Sequence, residues 1–157
     1  MKRRNRVYAD TSVFGGVFDD AFSEVSRRFF AEVAEGRHVI LLSDVTLGEL
    51  RDAPERVQEF AASLPEEAIE ELEFTPEMAE LRDAYLAANV LGARWADDAA
   101  HVASATVARS DVIVSWNFRH MVKWEKIRAF NAVNLSLGYP LVTIFSPREV
   151  ISDEEGL

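Results

Sequence analysis

The chain has 157 residues, no cysteine, and a net charge of −10 from 27 acidic and 17 basic side chains. This length suits one domain that buries enough surface to fold without a disulfide or a structural metal. Without cysteine, disulfide scaffolds, thiolate metal sites, iron–sulfur clusters and thiol nucleophiles are excluded, and a reducing compartment is favoured. We predict a cytoplasmic protein with one domain at residues 1–147 and an acidic tail at 148–157.

Targeting to a membrane or for export is not expected. No apolar run approaches the roughly 18 residues that a membrane span needs. The first six residues are basic, as at the start of a signal peptide, but Asp10 and the pair Asp19-Asp20 follow where an apolar segment would be required.

The charge is unevenly distributed along the chain. Residues 51–83 contain eleven acids against three bases, whereas residues 117–131 contain four bases against one acid. The net charge alone argues against a nucleic-acid-binding protein. Because the acid is concentrated in one stretch, the basic segment 117–131 and the basic N-terminus remain available to face a polyanion.

The hydrophobic spacing predicts strands that alternate with helices. In the first half of the chain we predict a strand at 6–10, a loop through 15–20, a helix at 21–35, a strand at 38–42 and helices opened by Ser43 and Pro54. An acidic helical turn at 66–71 and a short edge strand at 72–74 follow. In the second half we predict a helix from Thr75-Pro76 to Leu91-Gly92, an alanine-rich helix opened by Asp97 or Asp98, a strand at 111–115, a helix at 118–137 and a strand at 142–145. This order predicts an α/β fold with a parallel sheet covered on both faces. In such sheets the ligand lies at the carboxyl ends of the strands.

Two acids follow the first two strands. Asp10 ends the first strand, and Glu49 lies in the helix after the second. Each could instead have a purely structural role. Asp10 could be a turn residue that hydrogen-bonds its own backbone, and Glu49 could be an acid that offsets the helix dipole.

Further along the chain, Asp98 begins a helix and Asn117 follows the strand at 111–115. Capping explains one aspartate at that helix start, but not both Asp97 and Asp98. His101 is expected to pack or to support a neighbour rather than to bind a metal.

Taken together, Asp10, Glu49, Asp98 and Asn117 fall at one predicted edge of the sheet. Three carboxylates this close would repel one another unless a cation or a shared proton compensated them. Oxygen ligands without cysteine or clustered histidine favour Mg²⁺ or Mn²⁺ over Zn²⁺. Such ions suit phosphodiester hydrolysis, because they activate a water and stabilise the charge on the phosphate.

Four segments in this order resemble the motifs of PIN domains: Tyr8-Ala-Asp10-Thr-Ser12, Leu47-Gly-Glu49-Leu50, Asp98-Ala-Ala-His101-Val-Ala103 and Val112-Ile-Val-Ser115-Trp-Asn117-Phe118. The resemblance spans nearly the whole chain. It implies a three-layer α/β/α sandwich with a central parallel sheet, and a ribonuclease that depends on Mg²⁺ or Mn²⁺. Small PIN domains of this kind are similar to the VapC toxins of type II toxin–antitoxin pairs.

By this resemblance, Asp10, Glu49 and Asp98 are metal ligands, and Asn117 stands where the family often has a fourth acid. Ser12 and Ser115 are expected to support the site through their hydroxyls. The resemblance also implies an RNA substrate, a cognate antitoxin protein and a homodimer, for which the sixteen aromatic side chains offer apolar surface.

Two other functions stay open. Because asparagine supplies no charge at position 117, the chain could be a weak or inactive interaction module with a PIN-like fold. It could also be a nuclease of RNA processing, which gene neighbourhood would distinguish from a toxin. A covalent hydrolase is disfavoured, because the three histidines do not assemble a serine–histidine–aspartate set.

Overall fold

The structure is a computed structural model that describes residues 3–153. The strands are β1 (Asn5–Ala9), β2 (His38–Ser43), β3 (Ile69–Leu72), β4 (Val112–Val114) and β5 (Ile144–Phe145). The α-helices are α1 (Thr11–Gly16), α2 (Ser23–Ala34), α3 (Asp44–Arg51), α4 (Glu55–Ala62), α5 (Pro76–Ala87), α6 (Ala96–Val107) and α7 (Trp124–Ser136). Short 3-10 helices lie at Glu66–Ala68, Ala93–Trp95 and Pro147–Glu149.

The described strands form one parallel sheet in the order β3-β2-β1-β4-β5. The chain moves from β1 outward through β2 to β3, and later returns to the other side of β1 with β4. The strand order therefore reverses between β1 and β4, and the carboxyl ends of these two strands flank a crevice of the kind that binds ligands.

Helices cover both faces of the sheet, which confirms the three-layer α/β/α architecture. Alternate residues of a strand point to opposite faces. Accordingly, Tyr8 and Leu41 pack with α5, α6 and α7, whereas Val7 and Ile40 pack with α1, α2 and α4. The alanine-rich α6 lies close to the sheet because its small side chains are buried.

Several predicted boundaries are wrong, for local reasons. The edge strand predicted at 72–74 runs over Ile69–Leu72, so the helical turn predicted at 66–71 ends at Ala68. Residues 15 and 16, predicted to begin a loop, are the last residues of α1. This helix forms because Asp10 caps it and the buried Val13 and Phe14 anchor it in the core. The alanine-rich helix begins at Ala96 with Trp95 at the N-cap position, so neither Asp97 nor Asp98 is the cap.

The segment at 118–123 forms turns, and the helix begins only at Trp124. Asn117 explains this, because its side-chain oxygen accepts hydrogen bonds from the backbone N–H groups of Arg119 and His120. A side chain that bonds to nearby backbone in this way competes with helix formation.

The described part of the predicted C-terminal tail packs against the domain. Val150 and Ile151 contact the core on the α2 side of the sheet. The backbone N–H of Ser152 donates to Glu32 at 2.7 Å. Residues 154–157 of the predicted acidic tail lie outside the described residues, and the division at residue 147 stays a prediction.

None of the helices within residues 3–153 has the length and apolar character needed to cross a membrane.

Candidate active site

Asp10 is buried at the carboxyl end of β1, with 4% of its surface exposed. Its two carboxylate oxygens accept hydrogen bonds from the hydroxyls of Ser12, at 2.5 Å, and Ser115, at 2.6 Å. The Ser12 hydroxyl in turn accepts from the backbone N–H of Trp116 at 2.8 Å. These bonds link the end of β1 to the segment after β4 and fix the orientation of the Asp10 carboxylate.

Glu49 projects from α3 and is paired with His101 from α6. His101 Nε2 lies 2.5 Å from Glu49 Oε1, and the same oxygen accepts from the Thr11 hydroxyl at 2.7 Å. The other ring nitrogen of His101 lies 2.7 Å from the hydroxyl of Tyr8, which contacts the Ser43 hydroxyl at the same distance. A buried polar chain thus connects the sheet to the half-exposed carboxylate of Glu49.

Asp98 is paired with a second histidine. Asp98 Oδ2 lies 2.8 Å from His120 Nδ1 and accepts a longer bond, 3.3 Å, from the side-chain amide of Asn117. Asn117 also donates its backbone N–H to the Ser115 hydroxyl. Asn117 therefore shapes the turn that carries His120 and contacts Asp98.

Glu49 and Asp98 line one open pocket of about 440 Å³. The other side chains that border it, acidic, basic, aromatic or amide in kind, are Arg94, Trp95, Asp97, Asn117, Arg119 and His120. Asp10 does not line this pocket. The structure thus brings two of the predicted acids to a common opening and keeps the third buried at the end of β1.

The donor chemistry of this region suits a hard divalent cation, because it offers carboxylate oxygens from Asp10, Glu49 and Asp98. Within residues 3–153, however, no three acidic or histidine side chains stand close enough together to hold one metal ion. Instead, His101 and His120 each pair with one of the pocket carboxylates.

The acids and the histidine at the centre of the site influence one another. Burial raises the pKa of Asp10, against the opposing effect of His101 and the two serine hydroxyls. Burial also opposes the charge of Glu49, but the hydrogen bond and the charge of His101 lower the pKa of that carboxyl overall.

His101 itself is favoured in its charged form. Burial disfavours a charge on the ring, yet Tyr8, the bond to Glu49 and the charges of Asp10 and Glu49 outweigh it and raise the pKa of His101 well above its usual value. With both ring nitrogens protonated, His101 donates to Glu49 and to Tyr8 at once.

We expect the metal-free protein to lose stability as the pH rises above neutrality. A histidine whose pKa is raised by folding stabilises the protein fully below its unfolded pKa of about 6.5, and this contribution is lost as the pH climbs through the folded pKa. Urea unfolding in EDTA at a series of pH values tests this, with His101→Gln as the uncharged control. Asp10 acts in the same direction from about pH 3.9 upward, and its pKa rises further when the His101 charge is removed. The protein with His101 and the His101→Gln variant are therefore both compared in an Asp10→Asn background. Parallel pH profiles for the two proteins would contradict the assignment.

Sequence reasoning missed His120, Tyr8 and Thr11 as members of this network. Tyr8 stands inside a strand, and nothing in a strand pattern marks a side chain that reaches a histidine 93 residues later. His120 lies three residues after Asn117, and only the turn at 117–121 directs its ring toward Asp98. Its sole signal was its place in the basic stretch 117–131.

No protein-family model matches the sequence, and no curated protein matches it either. Solved structures do resemble the fold. One is a toxin from Mycobacterium tuberculosis, VapC20, described as cleaving the sarcin–ricin loop, with 20% identity and a TM-score of 0.53. That match covers 68% of this chain and 86% of the other.

Two further matches are from toxin–antitoxin structures bound to DNA. The VapBC2 structure from Rickettsia felis, bound to a fragment of its promoter, matches with 12% identity and a TM-score of 0.57, covering 88% of this chain and 96% of the other. The VapBC structure from Salmonella typhimurium matches with 19% identity and a TM-score of 0.56, covering 91% and 98%. The chain therefore has the fold of a VapC-like PIN domain.

Proposed function

We propose that this protein is a metal-dependent ribonuclease that hydrolyses RNA phosphodiester bonds, and that it is the toxin of a type II toxin–antitoxin pair. One observation supports the proposal: Asp10 follows β1 at the strand-order reversal between β1 and β4, where ligands bind in such sheets, and Glu49 and Asp98 line one open pocket. The RNA-cleaving activity described for VapC20, a structural neighbour, supports an RNA substrate.

In this proposal, Asp10, Glu49 and Asp98 hold Mg²⁺ or Mn²⁺. The ion, when bound, supplies an activated water and stabilises charge on the phosphate. Ser12 and Ser115 hold the Asp10 carboxylate through their hydroxyls, and His101 does the same for Glu49.

Asn117 cannot add a negative charge, and its role is to orient. Its amide nitrogen donates to Asp98, and its oxygen accepts two backbone N–H groups of the turn that carries His120. In this arrangement Asn117 fixes Asp98 and His120 relative to each other at the pocket.

A second candidate function is a PIN-like interaction module without nuclease activity. The observation that favours it is the pairing of Glu49 with His101 and of Asp98 with His120, which leaves no three-ligand metal group in the described residues. Cleavage of a generic RNA in Mn²⁺, Mg²⁺ and EDTA separates the two functions. Metal-dependent cleavage by the wild type that is absent from an identically purified Asp10→Asn variant supports the nuclease, and no cleavage in any condition supports the module.

We expect Mn²⁺ to raise the melting temperature of the wild type but not of Asp10→Asn. A ligand at a hundredfold excess over its Kd shifts the melting temperature of a domain this size by roughly 5 to 10 °C. The metal-free variant should itself melt higher than the wild type, because burial disfavours the Asp10 charge. Thermal scans with and without Mn²⁺ measure both effects, and an equal metal shift in the two proteins would contradict Asp10 as a ligand.

The proposed toxin function implies two protein partners, which are an antitoxin and a second copy of this chain. It also implies a cytoplasmic location, where the RNA substrate is found. The described surface exposes large apolar side chains of the kind that protein interfaces cover. They are Phe118, Trp124, Leu135, Leu137, Leu141 and Phe145. A small antitoxin gene next to this one would favour the toxin over a nuclease of RNA processing.

A further inference from the structure

A cationic and aromatic cluster borders the candidate active site on one side. The guanidinium carbons of Arg94 and Arg119 lie 4.9 and 5.3 Å from the centre of the Trp95 ring. Trp95 is half-buried, while both arginines are exposed. All three side chains line the same pocket as Glu49 and Asp98.

Within the described residues neither arginine is held in an ion pair, although Glu49, Asp97 and Asp98 line the same pocket. Within residues 3–153, neither guanidinium has a carboxylate within 4.0 Å, although the chain carries 27 acids and a net charge of −10. By contrast, Arg6 pairs with Glu70 and Arg82 with Asp83. Two exposed cations at the mouth of a pocket are therefore available to an anion that comes from outside.

The cluster contacts one of the pocket acids through a histidine. The ring of His120 packs on Trp95 with 4.4 Å between the ring centres, and His120 Nδ1 contacts Asp98 at 2.8 Å. A group that stacks on Trp95 is thereby placed one side chain away from a predicted metal ligand.

We propose that Arg94, Trp95 and Arg119 form a nucleotide-binding subsite, in which an unpaired base takes the place of an arginine on the indole ring and the displaced guanidinium binds the adjacent phosphate. This inference rests on the proposed function for its substrate, RNA. Indole and guanidinium planes both stack on bases, and guanidinium forks match phosphate oxygens.

A nucleotide fits these groups better than an acidic peptide does. An acidic peptide would use the two cations but offers no flat group for the ring of Trp95.

Direct binding in EDTA tests the subsite without relying on catalysis. The full-length protein is titrated with a fluorescent oligoadenylate of about eight nucleotides, within the usual site size for single strands, and with an abasic ribose-phosphate chain of the same length. Fluorescence anisotropy is recorded for the wild type, Trp95→Ala, Trp95→Phe and the double variant Arg94→Gln/Arg119→Gln. Trp124→Ala is the matched control, because Trp124 is a 73% exposed tryptophan that also carries an arginine, Arg128, over its ring.

Trp95→Ala should weaken binding of oligoadenylate by roughly 5- to 150-fold, the range found when a stacking side chain is truncated. It should leave binding of the abasic chain unchanged, and Trp95→Phe should restore most of the affinity. The double arginine variant should weaken both ligands and lower the salt slope by about 0.7 for each phosphate that the variant no longer neutralises. Trp124→Ala should bind both ligands like the wild type.

Three results would overturn the subsite. The first is a Trp95→Ala variant that binds oligoadenylate as tightly as Trp124→Ala does. The second is a Trp95→Ala variant that loses equal affinity for the oligoadenylate and for the abasic chain. The third is an oligoglutamate of the same charge that competes for the wild type as well as the RNA does. A melting curve for each variant shows whether it is folded, and Trp95→Phe keeps the test decisive if Trp95→Ala is not. Binding is measured without metal, so this test is independent of cleavage. A protein that does not cleave RNA can still bind the oligoadenylate through the subsite, and an active nuclease can still lack the subsite.

Discussion

We expect Asp98→Asn to abolish RNA cleavage and Asp97→Asn to retain most of it, although the two residues are neighbours on α6 and both line the pocket. Successive residues of a helix point about 100° apart. Asp98 is directed toward His120 and Asn117, while Asp97 is exposed.

The expected losses of activity in the two variants differ for the same reason. Loss of a group that merely supports a metal ligand costs roughly 10- to 100-fold in activity, so loss of the ligand itself should cost more. Asp97 lies in the first turn of the helix, where an acid stabilises by about 0.3–1 kcal/mol through the helix dipole. Asp97→Asn should therefore show a small loss of stability and little loss of activity.

Cleavage of a generic RNA in Mn²⁺, together with urea unfolding midpoints, measures both variants. If Asp97→Asn were inactive and Asp98→Asn active, the alignment with the PIN motif would be wrong by one residue. The assignment of Asp98 as a metal ligand would then fail.

We expect Gly16→Ala, which adds a single methyl group in α1, to lower the free energy of unfolding strongly. A Cβ at Gly16 would lie 2.6 Å from Ser26 Oγ and 2.7 Å from Trp116 Nε1. Those two atoms are bonded to each other at 2.9 Å, and the Trp116 ring is stacked on Phe22 with 4.2 Å between ring centres. Neither side chain can move without breaking a buried contact.

Overpacking a buried site costs about 1–3 kcal/mol, and we expect Gly16→Ala to lie near the upper end. The matched control is Gly15→Ala, one residue earlier in α1, where a Cβ meets no atom within 4 Å. That change should be neutral or stabilise by about 0.5–1 kcal/mol, because alanine favours the helix. Urea unfolding of the two variants measures the difference.

Gly16→Ala should also reduce cleavage, because the backbone N–H of Trp116 donates to the Ser12 hydroxyl that holds Asp10. Equal stability for the two alanine variants would show that Trp116 and Ser26 move aside without loss of free energy. The tight packing of these two side chains against Gly16 would then be wrong.

Local patterns in the sequence were sufficient for the fold class and for most helices and strands. The run at 38–42 predicts a buried strand because all four residues after His38 are apolar. Ser43 and Thr75 predict helix starts because their hydroxyls cap backbone N–H groups, as the structure confirms. The loop predicted at residues 15–20 was wrong at its start, because tertiary packing of Phe14 overrides the weak helix propensity of glycine.

The sequence by itself placed Asp10 and Asn117 at the carboxyl edge of the sheet, because a residue that comes just after a parallel strand lies at that edge. It did not place Glu49 and Asp98, which lie within helices. Tertiary structure alone decided how those acids are compensated. The pairs Glu49–His101 and Asp98–His120 join residues 52 and 22 positions apart, and the order β2-β1-β4 brings Ser115 to Asp10 across 105 positions. Helical and strand periodicities extend over a few residues only, so no local pattern encodes a contact that depends on how separate elements pack.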